Sequence, residues 1–277
     1  MVWSINIFFA LLLSVFAGLS TSIGSLIAYF IKKPKMIYLS FGLGLSGGVM
    51  TYVSFVELLP MGIEGLGQVW GIILFFIGIA FIMLIDFIIP EGKNPHHPFN
   101  PGENKGNLAE TAVKMESRKE SEHNVTLEDP LMKTGVSTAL AIAIHNFPEG
   151  LASFGSALSS IKLGVVIAIA IAIHNIPEGI SVSLPIYYAT GDKKRAFWWS
   201  SLSGIAEPIG AFIGFMILRS FLNDAVVGGL LSFVGGIMVY ISLDEILPTA
   251  HHYGHGHEVI IGVVLGMILM ALSLILL

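Results

Sequence analysis

Long apolar runs, separated by short breaks of charge, proline and glycine, cover most of the chain. A run of about 20 apolar residues can cross the hydrocarbon core of a bilayer as an α-helix. Counting the runs against the breaks predicts an all-α polytopic membrane protein with eight transmembrane helices. The predicted spans are 4–31, 37–59, 67–89, 134–159, 163–189, 195–221, 225–248 and 258–277.

One long polar segment interrupts this pattern. Residues 90–133 are rich in Glu, Lys, Asn and Pro, and we predict a flexible cytoplasmic loop there. The loop separates spans one to three, within 1–89, from spans four to eight, within 134–277. No second soluble region of useful size is present, so all spans are expected to form one membrane domain.

The distribution of basic residues predicts the orientation. If the N-terminus lies outside, 12 of the 14 Lys and Arg residues fall on the cytoplasmic side. The positive-inside rule therefore favours two extracytoplasmic termini. The first apolar run lacks a basic start and a small-residue cleavage signal, so we expect a retained span rather than a cleaved leader.

Composition agrees with the span pattern and narrows the chemistry. Hydrophobic residues make up 54% of the chain and charged residues only 12%, with a mean hydropathy of +0.81. This is typical of a multi-pass protein of the cell membrane, with the lipid bilayer as its surroundings and no nucleic-acid partner. The chain has no cysteine, which excludes disulfides and thiolate metal sites.

A polar motif interrupts two successive apolar spans. It reads Ala-Ile-Ala-Ile-His-Asn-Phe-Pro-Glu-Gly over 141–150, and recurs 29 residues later as Ala-Ile-Ala-Ile-His-Asn-Ile-Pro-Glu-Gly over 170–179. Both copies lie in mid-span, where ionisable groups are costly and usually functional. The candidate ligands in the two copies are His145, Asn146, Glu149, His174, Asn175 and Glu178.

Helical geometry predicts how these side chains are presented. His145 and Glu149 are four residues apart, so both project from one face of a helix, and the second copy does the same. Pro148 and Pro177 each remove a backbone donor and kink their helix. Two helices meeting on these faces form a pocket of imidazole, carboxylate and amide groups, which suits zinc and leaves iron, manganese and cobalt open. The competing interpretation, a hydrogen-bonded contact between helices, is weakened by the repetition of the whole motif.

A second repeat links spans two and seven. Residues 47–60 match residues 235–248, 188 positions later, in their paired glycines and in Met, Tyr, Ser, Glu, Leu and Pro. These spans cross in opposite directions, as do spans four and five, so both repeats predict one inverted arrangement, which is typical of transporters. Glu57 then lies toward the outer mouth, and Asp244 and Glu245 toward the cytoplasmic mouth, as relay points for an ion. Solvated carboxylates at helix ends are the alternative interpretation.

Two further polar features lie in the C-terminal half. Glu207 precedes Pro208 in the middle of span six, and no Lys or Arg lies mid-span to neutralise it. Its expected partner is a cation, and the alternative is a protonated carboxyl bonded to a neighbouring helix. After span seven, four histidines in a predicted short cytoplasmic loop could receive a metal leaving the pore, against the alternative of an adventitious His tract. They are His251, His252, His255 and His257.

Together these residues carry a family resemblance. His-Asn-X-Pro-Glu-Gly in two successive spans, Glu-Pro in the next, and a long loop after the third of eight spans resemble the ZIP (Zrt/Irt-like) family of divalent metal transporters, in its bacterial zinc-transporting branch. The resemblance implies import of zinc into the cytoplasm, with iron, manganese or cobalt as further substrates and no catalytic cofactor. It also implies a homodimer and an elevator-like sliding of the metal-carrying helices against a scaffold that contains spans two and seven.

The resemblance further implies a two-metal centre. The first ion would be held by His145, Glu149, His174 and Glu178. The second would be held by Asn146, Asn175, Glu178 and Glu207, with Glu178 bridging. Some family members have Gln-Asp where this chain has His174 and Asn175, which exchanges a carboxylate for an amide beside the second ion.

Two other functional classes compete with a divalent metal transporter. An intramembrane metalloprotease would require His-Glu-X-X-His, which the chain lacks, so no enzymatic activity is expected. A monovalent cation or proton exchanger would use the same midplane carboxylates but would have little need of paired histidines. A requirement for His145 and His174 would therefore separate the exchanger from the metal transporter.

Overall fold

The structure is a computed structural model, and it describes residues 2–30, 36–88, 130–218, 221, 223–253 and 256–276. Every regular element within these residues is helical. The predicted loop over 90–133 lies outside the described residues except for its last four positions, which form the start of a helix.

Eight long helices make up the described chain, and their order follows the predicted spans. Six are uninterrupted: α1 (Val2–Phe30), α3 (Gln68–Ile88), α4 (Pro130–Ser159), α5 (Ile161–Thr190), α6 (Lys193–Leu218) and α8 (Gly256–Leu276). The other two each contain a π-helical turn: α2 (Met36–Val53, π turn Ser54–Leu58, Leu59–Leu66) and α7 (Asp224–Ile241, π turn Ser242–Ile246, Leu247–Tyr253).

Seven of these helices are long and apolar enough to cross a membrane, within the residues described. The one outside that set is α4, which carries the first copy of the motif. Its polar side chains, among them His145, Asn146 and Glu149, lower its hydropathy. The all-α membrane architecture is thus confirmed, while the count of eight crossings stays a prediction.

The π turns of α2 and α7 lie 188 residues apart, the offset of the second sequence repeat. In α2, Leu59 donates its backbone N–H to the carbonyl of Ser54, five residues earlier. Leu247 and Ser242 make the same bond in α7. Pro60 or its counterpart follows directly, and because proline has no N–H and its ring clashes with the carbonyl four residues earlier, a wider turn accommodates it.

The π turns correct two predicted span ends. We expected spans two and seven to end at residues 59 and 248, beside the prolines, but the helices continue to Leu66 and Tyr253. A proline at the first or second position of a new helical segment needs no N–H, so the chain resumes the α-helix after each π turn. Gly67, with φ of 83°, then ends α2 in a backbone conformation that favours glycine.

The helices pack as two bundles of four. We call α1, α4, α5 and α6 the motif bundle, because it holds both copies of the polar motif. In it, α5 packs on α1 and α4, and α6 packs on the same two helices. We call α2, α3, α7 and α8 the π-turn bundle, in which α2 packs on α7 and α8 and α3 packs on α7. The bundles meet mainly where α2 contacts α5 and where α4 contacts α7.

The outer faces of both bundles are apolar. Phe76 on α3, Phe212 on α6 and Leu272 on α8 are each more than half exposed. Exposed aromatic and aliphatic side chains on long helices are what a lipid environment requires. The interior of the π-turn bundle is also apolar, with Leu43 and Met238 among its fully buried side chains.

Candidate metal site

The two motif copies lie side by side in the middle of α4 and α5. Each helix runs without interruption through its motif proline, Pro148 or Pro177, and most of the Ala-Ile-Ala-Ile run that opens each motif copy is buried. Glu207 approaches from the adjoining helix α6. At most 1% of the surface of any candidate ligand is exposed: His145, Asn146, Glu149, His174, Asn175, Glu178 and Glu207.

The imidazoles and carboxylates pair across the two helices. His145 Nε2 lies 3.2 Å from Glu178 Oε2, and His174 Nε2 lies 3.3 Å from Glu149 Oε2. Each imidazole N–H therefore donates to the carboxylate of the opposite motif copy. The i,i+4 spacing places His and Glu of one copy on the same face, as predicted, but the hydrogen bonds run between helices.

The two asparagines attach the motif helices to their neighbours. Asn146 donates Nδ2 to the backbone carbonyl of Ser203 on α6, at 3.1 Å. Asn175 donates Nδ2 to the carbonyl of Ala17 on α1, at 3.2 Å, and to Glu207 Oε2, at 3.0 Å. Their amide nitrogens are thus engaged, and their carbonyl oxygens are left for another partner.

Several buried atoms of the site have no hydrogen-bond partner among the described residues. A buried polar atom without a partner costs about 1–3 kcal/mol, so a cluster of them indicates a place for a ligand. All are atoms that can offer a lone pair to a cation. They are His145 Nδ1, Asn146 Oδ1, Glu149 Oε1, His174 Nδ1, Asn175 Oδ1 and Glu207 Oε1.

The site is assembled from pairs rather than from a converged cluster. No three His, Asp or Glu side chains of the described chain come together closely enough to enclose an ion as they stand. The crossed hydrogen bonds hold the imidazoles against the carboxylates instead. A cation that binds between α4 and α5 therefore has to replace these bonds with its own.

Comparison with known proteins identifies the family to which this arrangement belongs. A family model described as "ZIP Zinc transporter" matches residues 2–274, nearly the whole chain. The chain belongs to the ZIP family. The resemblance of its paired motifs is thereby confirmed, and it is a multi-pass membrane protein of a transporter family rather than an enzyme.

Curated ZIP relatives extend over the same length. The chain is 53% identical over 280 residues to the "Zinc transporter ZupT" of Clostridium perfringens, covering 98% of this chain and 96% of that protein. It is 48% identical over 287 residues to the protein of the same name from Campylobacter jejuni, covering 97% and 96%. The corresponding Oceanobacillus iheyensis protein is 49% identical over 280 residues, covering 98% and 99%.

Ser46 of α2 reaches the site of this ZIP chain from the π-turn bundle, although no sequence pattern selects it. Its hydroxyl donates to Glu178 Oε1 at 2.9 Å, and the side chain is fully buried. A serine within an apolar span is common and carries no signal of its own. Only the packing of α2 against α5 brings its hydroxyl to a motif carboxylate.

The predicted relay carboxylates lie on the two π turns, Glu57 on that of α2 and Asp244 and Glu245 on that of α7. Glu57 and Asp244 are half-buried, and Glu245 is buried. Asp86, near the end of α3, is half-buried and accepts a hydrogen bond from Tyr240 at 3.3 Å. The π turns thus present the relay candidates at matching points of α2 and α7.

The histidines predicted to occupy a loop are mostly helical. His251 and His252 belong to the last segment of α7, and His257 lies in the first turn of α8. The side chains of His251 and His257 are exposed. His255 and the side chain of His252 lie outside the described residues.

Proposed function

We propose that this ZIP protein carries Zn²⁺ across the cell membrane into the cytoplasm through a site between α4 and α5. The observation that supports it most strongly is the pair of crossed contacts, His145 with Glu178 and His174 with Glu149, which are fully buried. Imidazole nitrogen and carboxylate oxygen are zinc's usual ligands in proteins without cysteine. The names of the curated relatives agree with zinc as the substrate.

Binding exchanges hydrogen bonds for metal ligation. The ion replaces the hydrogen bonds between the motif copies. Each imidazole gives up its Nε2 proton, either to its own Nδ1 or, if the ring is doubly protonated, to solvent, so that His145 and His174 bind through Nε2 as neutral imidazoles and Glu149 and Glu178 bind as carboxylates. Metal binding at such groups releases protons, and occupancy therefore falls as pH is lowered. Such a site, with several carboxylates on spans that carry no Lys or Arg in their middle, attracts cations strongly.

A second ion occupies the side of the site that faces α6. Its ligands are Asn146, Asn175, Glu178 and Glu207, with Glu178 shared between the two ions. The orphaned oxygens of both asparagines and of Glu207 support this assignment. Oxygen-rich ligand sets also suit manganese, iron and cobalt, which we propose as further substrates.

We propose a route and a movement that use the division into two bundles. Glu57 at one π turn relays the ion at the outer mouth, and Asp244 and Glu245 at the other relay it at the cytoplasmic mouth, with the histidines from His251 to His257 beyond. We propose that the motif bundle slides against the π-turn bundle in a homodimer. The separation of α1, α4, α5 and α6 from the other helices supports that division.

Zinc entry into liposomes that contain the protein and a zinc-sensitive dye tests this proposal. We expect saturable entry with wild type and none with His145→Ala or Glu178→Ala. Ser232→Ala, which removes a buried hydroxyl of the π-turn bundle bonded to Gly71, is the matched control and should keep wild-type flux. Manganese, iron and cobalt are measured in parallel.

Two results would contradict the proposal. Folded wild type without any divalent flux would bring the monovalent cation or proton exchanger forward, and a pH-sensitive dye in the same vesicles would detect it. Zinc flux that survives both substitutions would remove the site from the transport path.

A further inference from the structure

Helices α1 and α6 are related by a repeat that the motif copies do not include. Gly18 and Gly24 of α1 recur 186 residues later as Gly204 and Gly210 of α6. The two helices cross at the first pair. A Cβ on Gly18 would overlap the carbonyl oxygen of Gly204, and a Cβ on Gly204 would overlap that of Gly18.

The second glycine pair shows that the repeat includes the motif helices. A Cβ on Gly24 would overlap the carbonyl oxygen of Ile176 on α5, and a Cβ on Gly210 would overlap that of Phe147 on α4. Ile176 and Phe147 occupy the same place in the two motif copies. Exchanging α1 with α6 and α4 with α5 therefore turns the contact between Gly24 and Ile176 into the contact between Gly210 and Phe147.

The asparagines of the site obey the same relation. Asn175 bonds the carbonyl of Ala17, and Asn146 bonds the carbonyl of Ser203, which follows Ala17 by 186 positions. The pseudo-symmetry thus extends into the polar centre itself, where equivalent amides have equivalent anchors.

Thr21 is the counterpart of Glu207 under this relation, again 186 positions apart. A Cβ on Gly179 would overlap the carbonyl oxygen of Thr21, just as a Cβ on Gly150 would overlap that of Glu207. Each of these glycines follows a motif glutamate directly. The backbones of Thr21 and Glu207 are therefore placed alike against α5 and α4.

The side chain of Thr21 is buried and its hydroxyl is unsatisfied. Thr21 has no exposed surface, and its Oγ1 has no hydrogen-bond partner among the described residues. Oγ1 of Thr21 lies 3.0 Å from the position that a Cβ on Gly204 would take. Gly204 directly follows Ser203, whose backbone carbonyl accepts the hydrogen bond from Asn146. Asn146 Oδ1 is also without a partner within the described chain.

We propose that the Thr21 hydroxyl is part of the metal centre, facing Asn146 as Glu207 faces Asn175, and supplies a neutral oxygen where its counterpart supplies a carboxylate. The inference rests on the proposed function. The proposed role of Thr21 makes the metal centre asymmetric, with a carboxylate on the α6 side and a hydroxyl on the α1 side. The hydroxyl contacts the cation either directly or through a water bound to the cation. Thr21 thereby determines how many carboxylates surround the cargo and which metals it suits.

Removing the hydroxyl tests this role through metal selectivity. Thr21→Val has nearly the same shape without the oxygen, and Thr21→Ser keeps it. Because hydroxyl and water oxygens suit manganese while imidazole suits zinc, Thr21→Val should lower manganese flux about fivefold more than zinc flux, about the effect of one lost hydrogen bond. Thr21→Ser should keep the wild-type ratio of manganese to zinc flux.

A gain of ligand provides an independent readout that does not depend on transport. Thr21→Glu adds the carboxylate that the pseudo-symmetry lacks, so bound metal per purified protein, counted by elemental mass spectrometry, should rise by about one ion relative to wild type. Thermal unfolding in detergent confirms that each variant is folded. Should Thr21→Val misfold, Thr21→Ala replaces it in the flux comparison.

The outcomes separate this inference from the proposed function. Wild type that neither binds nor transports divalent ions refutes both. The assignment of Thr21 alone is overturned if wild type transports zinc but neither variant behaves as expected. In that case a folded Thr21→Val variant keeps the wild-type ratio of manganese to zinc flux, and the Thr21→Glu variant binds no more metal than wild type.

Discussion

The motif bundle and the π-turn bundle are built by the same packing device but enclose different interiors. In the π-turn bundle, Gly48 and Gly236 allow α2 and α7 to approach the backbones of α8 and α3, as Gly18 and Gly204 bring α1 and α6 together. Close contacts through small residues hold membrane helices together without a hydrophobic driving force. The interiors can therefore differ. One bundle encloses histidine, asparagine and glutamate, and the other mainly Val, Ile, Leu and Met together with serine hydroxyls.

The boundary between the bundles lacks this close packing at its glycines. A Cβ on Gly42 of α2 would lie 3.5 Å from the Cβ of Pro177, an ordinary van der Waals distance. A Cβ on Gly155 of α4 would lie 3.6 Å from Leu230 and 3.7 Å from Val227 of α7. Many glycines within each bundle lie against a backbone carbonyl of the next helix, whereas these two boundary glycines lie at ordinary distances from side chains. Each bundle is thus a tightly packed unit, and the looser packing between the bundles is what the proposed sliding requires.

Joining the bundles covalently should have the largest effect. The chain has no cysteine, so Gly155→Cys with Val227→Cys introduces a single pair across the boundary. If sliding is required, oxidation should abolish zinc flux and a reductant should restore it, because the disulfide ties α4 to α7. Dye entry into proteoliposomes before and after reduction measures this.

A pair inside one bundle is the matched control. Leu58→Cys with Gly235→Cys joins α2 to α7 within the π-turn bundle, where a Cβ on Gly235 would lie 3.2 Å from the Cβ of Leu58. Its oxidation should leave flux unchanged. Full flux through the oxidised boundary pair would show that the bundles do not move against each other.

Adding a methyl group should distinguish the bundle interiors from the boundary. Gly24→Ala and Gly210→Ala force a Cβ onto a backbone carbonyl and should each lower stability by about 1–3 kcal/mol. Gly42→Ala meets only ordinary contacts and gains helix propensity, so its stability should be unchanged or slightly higher. Thermal unfolding in detergent compares the three, and equal midpoints for all would refute the difference in packing.

Loss of the Ser46 hydroxyl should have the smallest effect. The Ser46 hydroxyl, on α2 of the π-turn bundle, donates a hydrogen bond to Glu178. The loss of one such hydrogen bond costs about 1 kcal/mol. Because Glu178 is then less well oriented, Ser46→Ala should raise the zinc concentration for half-maximal flux about fivefold. Ser54→Ala, which loses only a bond to Met50 in its own helix, should not change it. An equal zinc concentration for half-maximal flux in both variants would show that the contact between Ser46 and Glu178 has no role in transport.

Much of the candidate site could be recognised from local patterns. Apolar runs of membrane length placed the helices, and two copies of His-Asn-X-Pro-Glu-Gly selected His145, Glu149, His174 and Glu178 on them. Both patterns can be read from the sequence because helical spacing and span length depend only on residues close together in the chain. The predicted ends of spans two and seven were wrong for a related reason. A proline in the sequence indicates the end of a helix, and the π turn that lets the helix continue past it is seen only in the backbone.

The pairing of those side chains was decided by tertiary structure. Spacing places His145 and Glu149 on one face, but only the crossing of α4 over α5 directs His145 to Glu178. Packing between distant helices likewise brought Ser46 to the site and made Thr21 the counterpart of Glu207. The sequence by itself thus determined which helices form and which ligands they carry, because those depend on neighbouring residues. Which ligand meets which depends on how helices far apart in the chain approach, and the fold alone sets that.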